Sequence, residues 1–121
     1  MGQAPQEVLQ AEAQKVIFKT KDMARQWAAT RWTVRLLGVV LGIATKQLTG
    51  VEMVITSVTG DKHAADSFHY EGRAFDFRSK HYSPEQRGEV FTLASFLAQL
   101  VGGKVLLEVP GKPNEHFHVQ V

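Results

Sequence analysis

Two short stretches of this chain carry side chains that commonly bind metal ions. The first contains His69 and Asp76, and the second is the run 115–118, Glu-His-Phe-His, near the C-terminus. A catalytic Zn²⁺ takes three protein ligands and keeps a fourth position for water, and His69, Asp76 and His118 supply that number. Glu115, three residues before His118, is then the candidate general base for the activated water.

The alternation of side chains along a strand predicts that these groups share one face of a sheet. If residues 74–77 form a strand, Asp76 and its two phenylalanine neighbours point to opposite faces, because successive side chains alternate. The same rule separates His116 and His118 from Phe117. Each strand would therefore present metal-binding side chains on one face and apolar side chains on the other.

The same rule raises a difficulty for the base. Glu115 and His118 are three residues apart and cannot face the same side of a regular strand. Glu115 must therefore lie in the turn, or at a bulge, before regular strand pairing begins. Glu108 is the alternative base. His63 and Asp66 form an alternative pair of metal ligands, although neither has a partner fixed on a strand.

The pattern His-x-x-Gly-x-Ala-x-Asp at residues 69–76, followed by Glu-x-x-His at residues 115–118, resembles a known family of peptidoglycan hydrolases. That family comprises the zinc D-Ala-D-Ala carboxypeptidases and L-alanyl-D-glutamate endopeptidases. Residues 69–76 are also very similar to the zinc site of the hedgehog signalling domain. The resemblance extends over residues 51–121.

This resemblance implies a role for each matching residue. His69, Asp76 and His118 would hold zinc, Glu115 would be the base, His116 would stand beside the metal and assist the transition state or orient a ligand, and Ser67 would contact substrate. The chain has no cysteine, so nitrogen and oxygen atoms must hold the zinc.

In one respect the chain departs from that family. The family's peptidases commonly carry an arginine soon after a strand that ends in Thr-Ser, where it binds the scissile carbonyl or the substrate carboxylate. Here residues 56–62 read Thr-Ser-Val-Thr-Gly-Asp-Lys, without an arginine. Lys62, Arg73 or Arg78 could supply the cation instead, although a lysine does not reproduce the planar fork of a guanidinium.

The activity that we expect is zinc-dependent hydrolysis of an amide bond in a peptidoglycan stem peptide. The alternative is a catalytically inactive, hedgehog-like zinc-binding module that binds a peptide or a wall ligand, and a metal-free structural domain is a third possibility. The basic residues form no stripe interleaved with aromatic residues, so we expect no nucleic-acid partner. We also expect no membrane partner and a monomeric state.

The N-terminal residues lack the basic and then apolar order of a secretory signal. We therefore expect synthesis in the cytoplasm and action on the cell wall after release, as in phage endolysins. The apolar run 36–44 is too short to span a membrane, which requires about 20 apolar residues, and Arg35 interrupts it.

Length and composition indicate one folded domain. The chain has 121 residues, of which 44% are hydrophobic and 21% charged, as in an ordinary globular protein. We expect a flexible segment at residues 1–14 and a single zinc peptidase-like domain at residues 15–121.

The expected fold is α+β. Apolar residues at alternating steps of four and three predict a long helix from Asp22 to Leu48, and the capping box at Ser83 predicts a second helix from Pro84 to Val101. Strands are predicted at 16–18, 51–58, 73–78, 104–109 and 115–121, the first of them as an edge strand. We expect a small, mainly antiparallel sheet of about four strands, with the two helices on one face and the zinc site on the other.

Overall fold

The computed structural model describes residues 16–59 and 71–121. The predicted flexible segment 1–14 lies outside these residues. In chain order the elements are β1 (Ile17–Phe18), α1 (Lys21–Ala28), α2 (Trp32–Thr49), β2 (Val54–Ser57), β3 (Ala74–Arg78), α3 (Pro84–Leu100), β4 (Lys104–Glu108) and β5 (His116–Gln120).

The strands form one mixed sheet in the order β1-β2-β3-β5-β4. β1 pairs in parallel with β2, and every other neighbouring pair is antiparallel. The α+β class and the mainly antiparallel sheet are therefore confirmed. The expected number of about four strands is wrong, because β1 pairs with β2 through two residues and adds a fifth strand.

The predicted single helix from Asp22 to Leu48 is also wrong, because the chain turns between α1 and α2. In a continuous helix the amide of Arg31 would bond to the carbonyl of Trp27. That amide instead donates to the carbonyl of Gly72, at 2.9 Å. Gly72 has a φ of 66° and lies two residues before β3, so the turn between α1 and α2 is attached to the segment that leads into that strand.

Arg35 satisfies the carbonyl groups that the break leaves without helical partners. Its guanidinium donates to the carbonyl oxygens of Ala28, at 3.2 Å, and of Thr30. The hydroxyl of Thr30 bonds in turn to the carbonyl of Trp27, at 2.7 Å. Carbonyl groups at a helix end lack helical partners, and these bonds supply partners for the carbonyls of Trp27, Ala28 and Thr30.

Trp27 fills the corner between α1 and α2. A Cβ atom built on Gly38 would lie 2.3 Å from Cη2 of the Trp27 ring, so only the missing side chain of Gly38 admits the indole. The Trp27 residue is 2% exposed. Its ring meets the ring of Phe75 edge to face, with centroids 5.1 Å apart, and this contact joins the helical corner to the sheet.

One face of the sheet carries the core. The Phe77 and Phe117 rings stack across β3 and β5 with centroids 4.7 Å apart, and they belong to the same buried cluster as Leu41 of α2 and Val90 of α3. All three helices contribute to this cluster. Because strand side chains alternate, the residues directly before and after each of these phenylalanines point to the opposite face of the sheet.

The predicted start of α3 is confirmed. The Ser83 hydroxyl accepts from the amide of Gln86 at 3.2 Å, and the Gln86 side chain accepts from the amide of Ser83 at 3.0 Å, with Pro84 in the first helical turn. The helix ends at Leu100, one residue before the predicted end. None of the helices in residues 16–59 and 71–121 is long and apolar enough to cross a membrane.

Candidate metal centre

The face opposite the core presents polar side chains in two rows across β3, β5 and β4. In one row, Asp76 pairs with His118, which pairs with Leu106. In the next row, Arg78, His116 and Glu108 stand opposite one another. The period-two prediction for Asp76, His116 and His118 therefore holds, and strand pairing adds Glu108 to the same surface.

Three of these side chains converge on one point. Asp76, Glu108 and His118 each offer one ligand atom, and these atoms all lie within 4.8 Å of one another. Nδ1 of His118 is 3.0 Å from Oδ1 of Asp76 and 3.5 Å from Oε1 of Glu108. One imidazole nitrogen and two carboxylates form a donor set that suits a divalent cation such as Zn²⁺.

Two of the three predicted zinc ligands are thus brought together. Asp76 is 6% exposed and His118 is 7% exposed, so both present their donor atoms from a largely dehydrated position. The third predicted ligand, His69, lies outside the described residues. Its place in the ligand set stays a prediction.

Gln120 orients the His118 ring from the side away from the carboxylates. Oε1 of Gln120 lies 2.8 Å from Nε2 of His118. An amide oxygen accepts hydrogen bonds, so Nε2 carries the hydrogen and Nδ1 is directed to Asp76 and Glu108. Metal-binding histidines generally donate their second N–H in this way. Sequence reasoning missed Gln120, although it lies two residues after His118 and so shares its face.

Both ring nitrogens of His118 face oxygen atoms, which favours the protonated imidazole. Burial by itself opposes protonation of His118, but hydrogen bonds to Asp76 and Gln120 and the charges of Asp76 and Glu108 outweigh it. The pKa of His118 therefore lies above its ordinary value. A cation at Nδ1 would take the place of this proton.

His116 occupies the adjacent row. Its Nδ1 is 2.8 Å from the carbonyl oxygen of Asn114, and its Nε2 is 3.1 Å from Oε1 of Glu108 and 3.4 Å from Oδ2 of Asp76. A carbonyl oxygen can only accept, so Nδ1 carries a hydrogen. Nε2 is therefore aimed at the two carboxylates. These contacts place His116 beside Asp76 and Glu108, two of the candidate metal ligands.

Glu115 lies in the turn before β5, as the strand geometry required, and its carboxylate is occupied. Oε1 accepts from the hydroxyl of Ser79 at 2.7 Å and from Arg87 at 3.2 Å, while Oε2 accepts from the amide of Gly111 at 2.8 Å. The residue is 7% exposed. Among residues 16–59 and 71–121, Glu115 is not a member of the group that could hold a metal.

These donors stabilise the ionised form of Glu115. Hydrogen bonds from the Gly111 backbone amide and from the Ser79 hydroxyl lower the pKa, burial opposes them, and the hydrogen bond and charge of Arg87 lower it further. The pKa of Glu115 therefore lies below its ordinary value. A carboxylate stabilised in this way is a weak proton acceptor. The sequence-based role of Glu115 as the base stays a prediction.

Of the predicted substrate-binding residues Ser67, Lys62 and Arg73, the structure describes Arg73. Ser67 and Lys62 lie outside the described residues, as do His63 and Asp66 of the alternative metal pair. Arg73 is engaged within the fold, because its Nε donates to the carbonyl of Val121 at 2.8 Å and its Nη1 to Glu71 at 3.2 Å.

Arg78 differs from Arg73. It is exposed at the end of β3, on the polar face, opposite His116. It makes no ion pair with any residue in the described part of the chain. Of the cations considered to replace the missing family arginine, Arg78 is the described one that remains available to a ligand.

A separate cleft of about 280 Å³ lies between β1 and α2, with Val16, Met53 and the ion-paired Lys46 and Glu52 among its lining residues. None of the residues of the polar rows lines it, so the cleft is distinct from the candidate metal centre.

No family model matches the chain, and a search of curated proteins finds no match. The resemblance to the peptidoglycan peptidases therefore depends on the short motifs, and the function proposed below depends on them and on the geometry of the polar face, the face of the sheet opposite the core.

Proposed function

We propose that this domain is a zinc-dependent peptidase that hydrolyses an amide bond in a peptidoglycan stem peptide. The observation that carries the proposal is the convergence of Asp76 and His118, two residues of the motif, on one point of the polar face together with Glu108. Asp76 and His118, with His69 from the sequence motif, would hold the metal. When bound, zinc polarises a carbonyl group and lowers the pKa of a bound water towards about 7.

Three residues on the face of the candidate metal centre would assist the proposed reaction. Gln120 holds the ring of His118 in the orientation that a ligand requires. His116 is positioned by the carbonyl of Asn114 so that its Nε2 faces Asp76 and Glu108, and in its protonated form it would stabilise an oxyanion there. Arg78 offers a guanidinium on the same face to a carboxylate of the substrate.

A second candidate, a zinc-bearing module that binds a wall peptide without cleaving it, is favoured by one observation. The carboxylate of Glu115, the predicted base, already accepts hydrogen bonds from Ser79, Arg87 and Gly111. If no other carboxylate handles the proton, the domain would bind zinc and ligand but would not turn over.

The test measures zinc and cleavage in the same preparations. Zinc-loaded protein is incubated with purified peptidoglycan and with peptides ending in D-Ala-D-Ala, and the products are identified by mass spectrometry. We expect cleavage of one amide bond, and we expect Asp76→Asn to lower zinc affinity by more than about a hundredfold and to abolish cleavage.

Glu89→Gln is the matched control, because it makes the same carboxylate-to-amide change at an exposed position of α3. It should retain both zinc and cleavage. Tight binding of wall fragments without any cleavage would replace the peptidase by the binding module. A protein that takes up no zinc would exclude both.

A further inference from the structure

Two carboxylates, those of Glu108 and Glu115, are candidate proton acceptors near the proposed zinc site, and they differ in exposure and in hydrogen-bond partners. Glu108 is the last residue of β4 and pairs with His116. Glu115 lies in the turn that leads into β5. The inference below rests on the proposed peptidase function, since it concerns which of the two carboxylates serves that reaction.

Glu108 is directed to the metal-binding residues. Its Oε1 lies 3.1 Å from Nε2 of His116 and 3.5 Å from Nδ1 of His118, and its side chain is 44% exposed. A general base must reach the water that it deprotonates, either directly or through one intervening water. Glu108 meets this requirement, because it borders the point where the ligand atoms converge and is open to solvent.

Glu108 also contacts His116 on the same face. Nδ1 of His116 donates to the carbonyl of Asn114 at 2.8 Å, and its Nε2 lies 3.1 Å from Oε1 of Glu108. The carboxylate of Glu108 and the ring of His116 therefore border the same point of the sheet as the candidate ligands Asp76 and His118.

Glu115 does not reach the candidate site: the residue is 7% exposed and lies outside the group of described residues that could hold a metal. Each of its oxygens accepts a hydrogen bond from within the protein, and the donors come from the residue after β3, from α3 and from the β4–β5 turn. These contacts fasten the turn to the body of the domain. They also favour the ionised carboxylate and leave it little access to water.

We propose that Glu108, and not Glu115, takes the proton from the reacting water, and that Glu115 is a structural residue that fastens the β4–β5 turn. The water oxygen forms a bond to the carbonyl carbon while one of its protons moves to Oε1 of Glu108. The C–N bond then breaks, and that proton passes to the leaving nitrogen. One water is consumed, and a carboxylic acid and an amine are released.

Two carboxylate-to-amide variants test the assignment. Glu108→Gln should lower kcat by at least about a hundredfold with little change in KM, because the lost interaction belongs to the transition state. Its thermal midpoint should stay close to that of the wild type, and the rates are compared at a zinc concentration that saturates both proteins, because Glu108 borders the candidate ligand atoms. Glu115→Gln should lower the thermal midpoint and, at a temperature where it is folded, should retain zinc and cleave at nearly the wild-type rate.

The outcomes separate this inference from the proposed function. If zinc-loaded wild-type protein cleaves no wall peptide, the proposed function and this inference fail together. If the wild type cleaves and Glu108→Gln cleaves equally fast, only this inference fails. A folded, zinc-bound Glu115→Gln without turnover also overturns it. If Glu115→Gln does not fold, the rate of Glu108→Gln decides alone.

Discussion

The ring of His118 contacts Asp76 through Nδ1 and Gln120 through Nε2. A metal bound at Nδ1 would replace the hydrogen bond to Asp76 and leave the one to Gln120 in place. Because Gln120 accepts from Nε2, it fixes the ring orientation that directs Nδ1 to Asp76. Removing a group that orients a metal ligand typically costs about 10- to 100-fold in metal affinity.

Gln120→Leu should therefore weaken zinc binding by at least about tenfold while leaving the fold intact. Competition with a chromophoric chelator measures the affinity. Gln99→Leu, an equivalent change at an exposed position of α3, is the control and should bind zinc as the wild type does. Equal affinities in the two variants would show that Gln120 does not support the ligand.

From the sequence, the candidate site could be predicted only for residues whose positions follow from the side-chain alternation within a single strand. The period of two placed Asp76 on one face of β3, and His116 and His118 on one face of β5, and the same rule extended by two residues would have found Gln120. Glu108 is different, because its place beside His118 depends on the pairing of β4 with β5. No local pattern specifies that register.

At the level of the secondary structure elements, the corner between α1 and α2 shows how tertiary contacts override a periodic pattern. The apolar spacing continues through the break, so the sequence predicts one helix. The break is determined by the bond between Arg31 and Gly72, which lie far apart in the chain, and by the insertion of Trp27 over Gly38. Both are contacts that a window of neighbouring residues cannot reveal.

Gly38→Ala should destabilise the domain. Alanine in a helix is favoured over glycine by about 1 kcal/mol, but overpacking a core costs about 1–3 kcal/mol. The new Cβ would lie 2.3 Å from the Trp27 ring, which is buried and cannot simply rotate away. We therefore expect the cost of overpacking to exceed the gain in helix propensity, with a net loss of up to about 2 kcal/mol in the free energy of unfolding by urea.

Gly88→Ala provides the matched control on α3. A Cβ at Gly88 would meet no atom within 4 Å, so the helix propensity acts alone and the variant should be up to about 1 kcal/mol more stable than the wild type. Stabilisation by both substitutions would mean that Trp27 does not occupy the space above Gly38.

At the scale of the whole molecule, Glu115 joins parts of the fold that are separated in the chain. Its carboxylate binds Ser79 after β3, Arg87 in α3 and Gly111 in the β4–β5 turn. In the chain, this turn connects Glu108, the last residue of β4, to His116, the first residue of β5.

Because of these contacts, the stabilising contribution of Glu115 to the free energy of unfolding decreases as the pH is lowered. The pKa of Glu115 in the folded protein lies below its ordinary value of 4.5, so the unfolded chain takes up the proton more readily. The stabilisation is fully present above the ordinary value and is lost as the pH falls towards and through the folded value. Protonation removes an acceptor from Gly111 and Ser79 and the charge that faces Arg87.

Glu115→Gln should therefore be less stable than the wild type at neutral pH, and the difference in the free energy of unfolding should shrink as the pH is lowered from about 7 to about 3. Urea unfolding at several pH values measures it. Glu89→Gln removes the same charge from an exposed position and should follow the wild-type curve. Parallel curves for Glu115→Gln and the wild type over that range would mean that the carboxylate is not held in its ionised form by the fold.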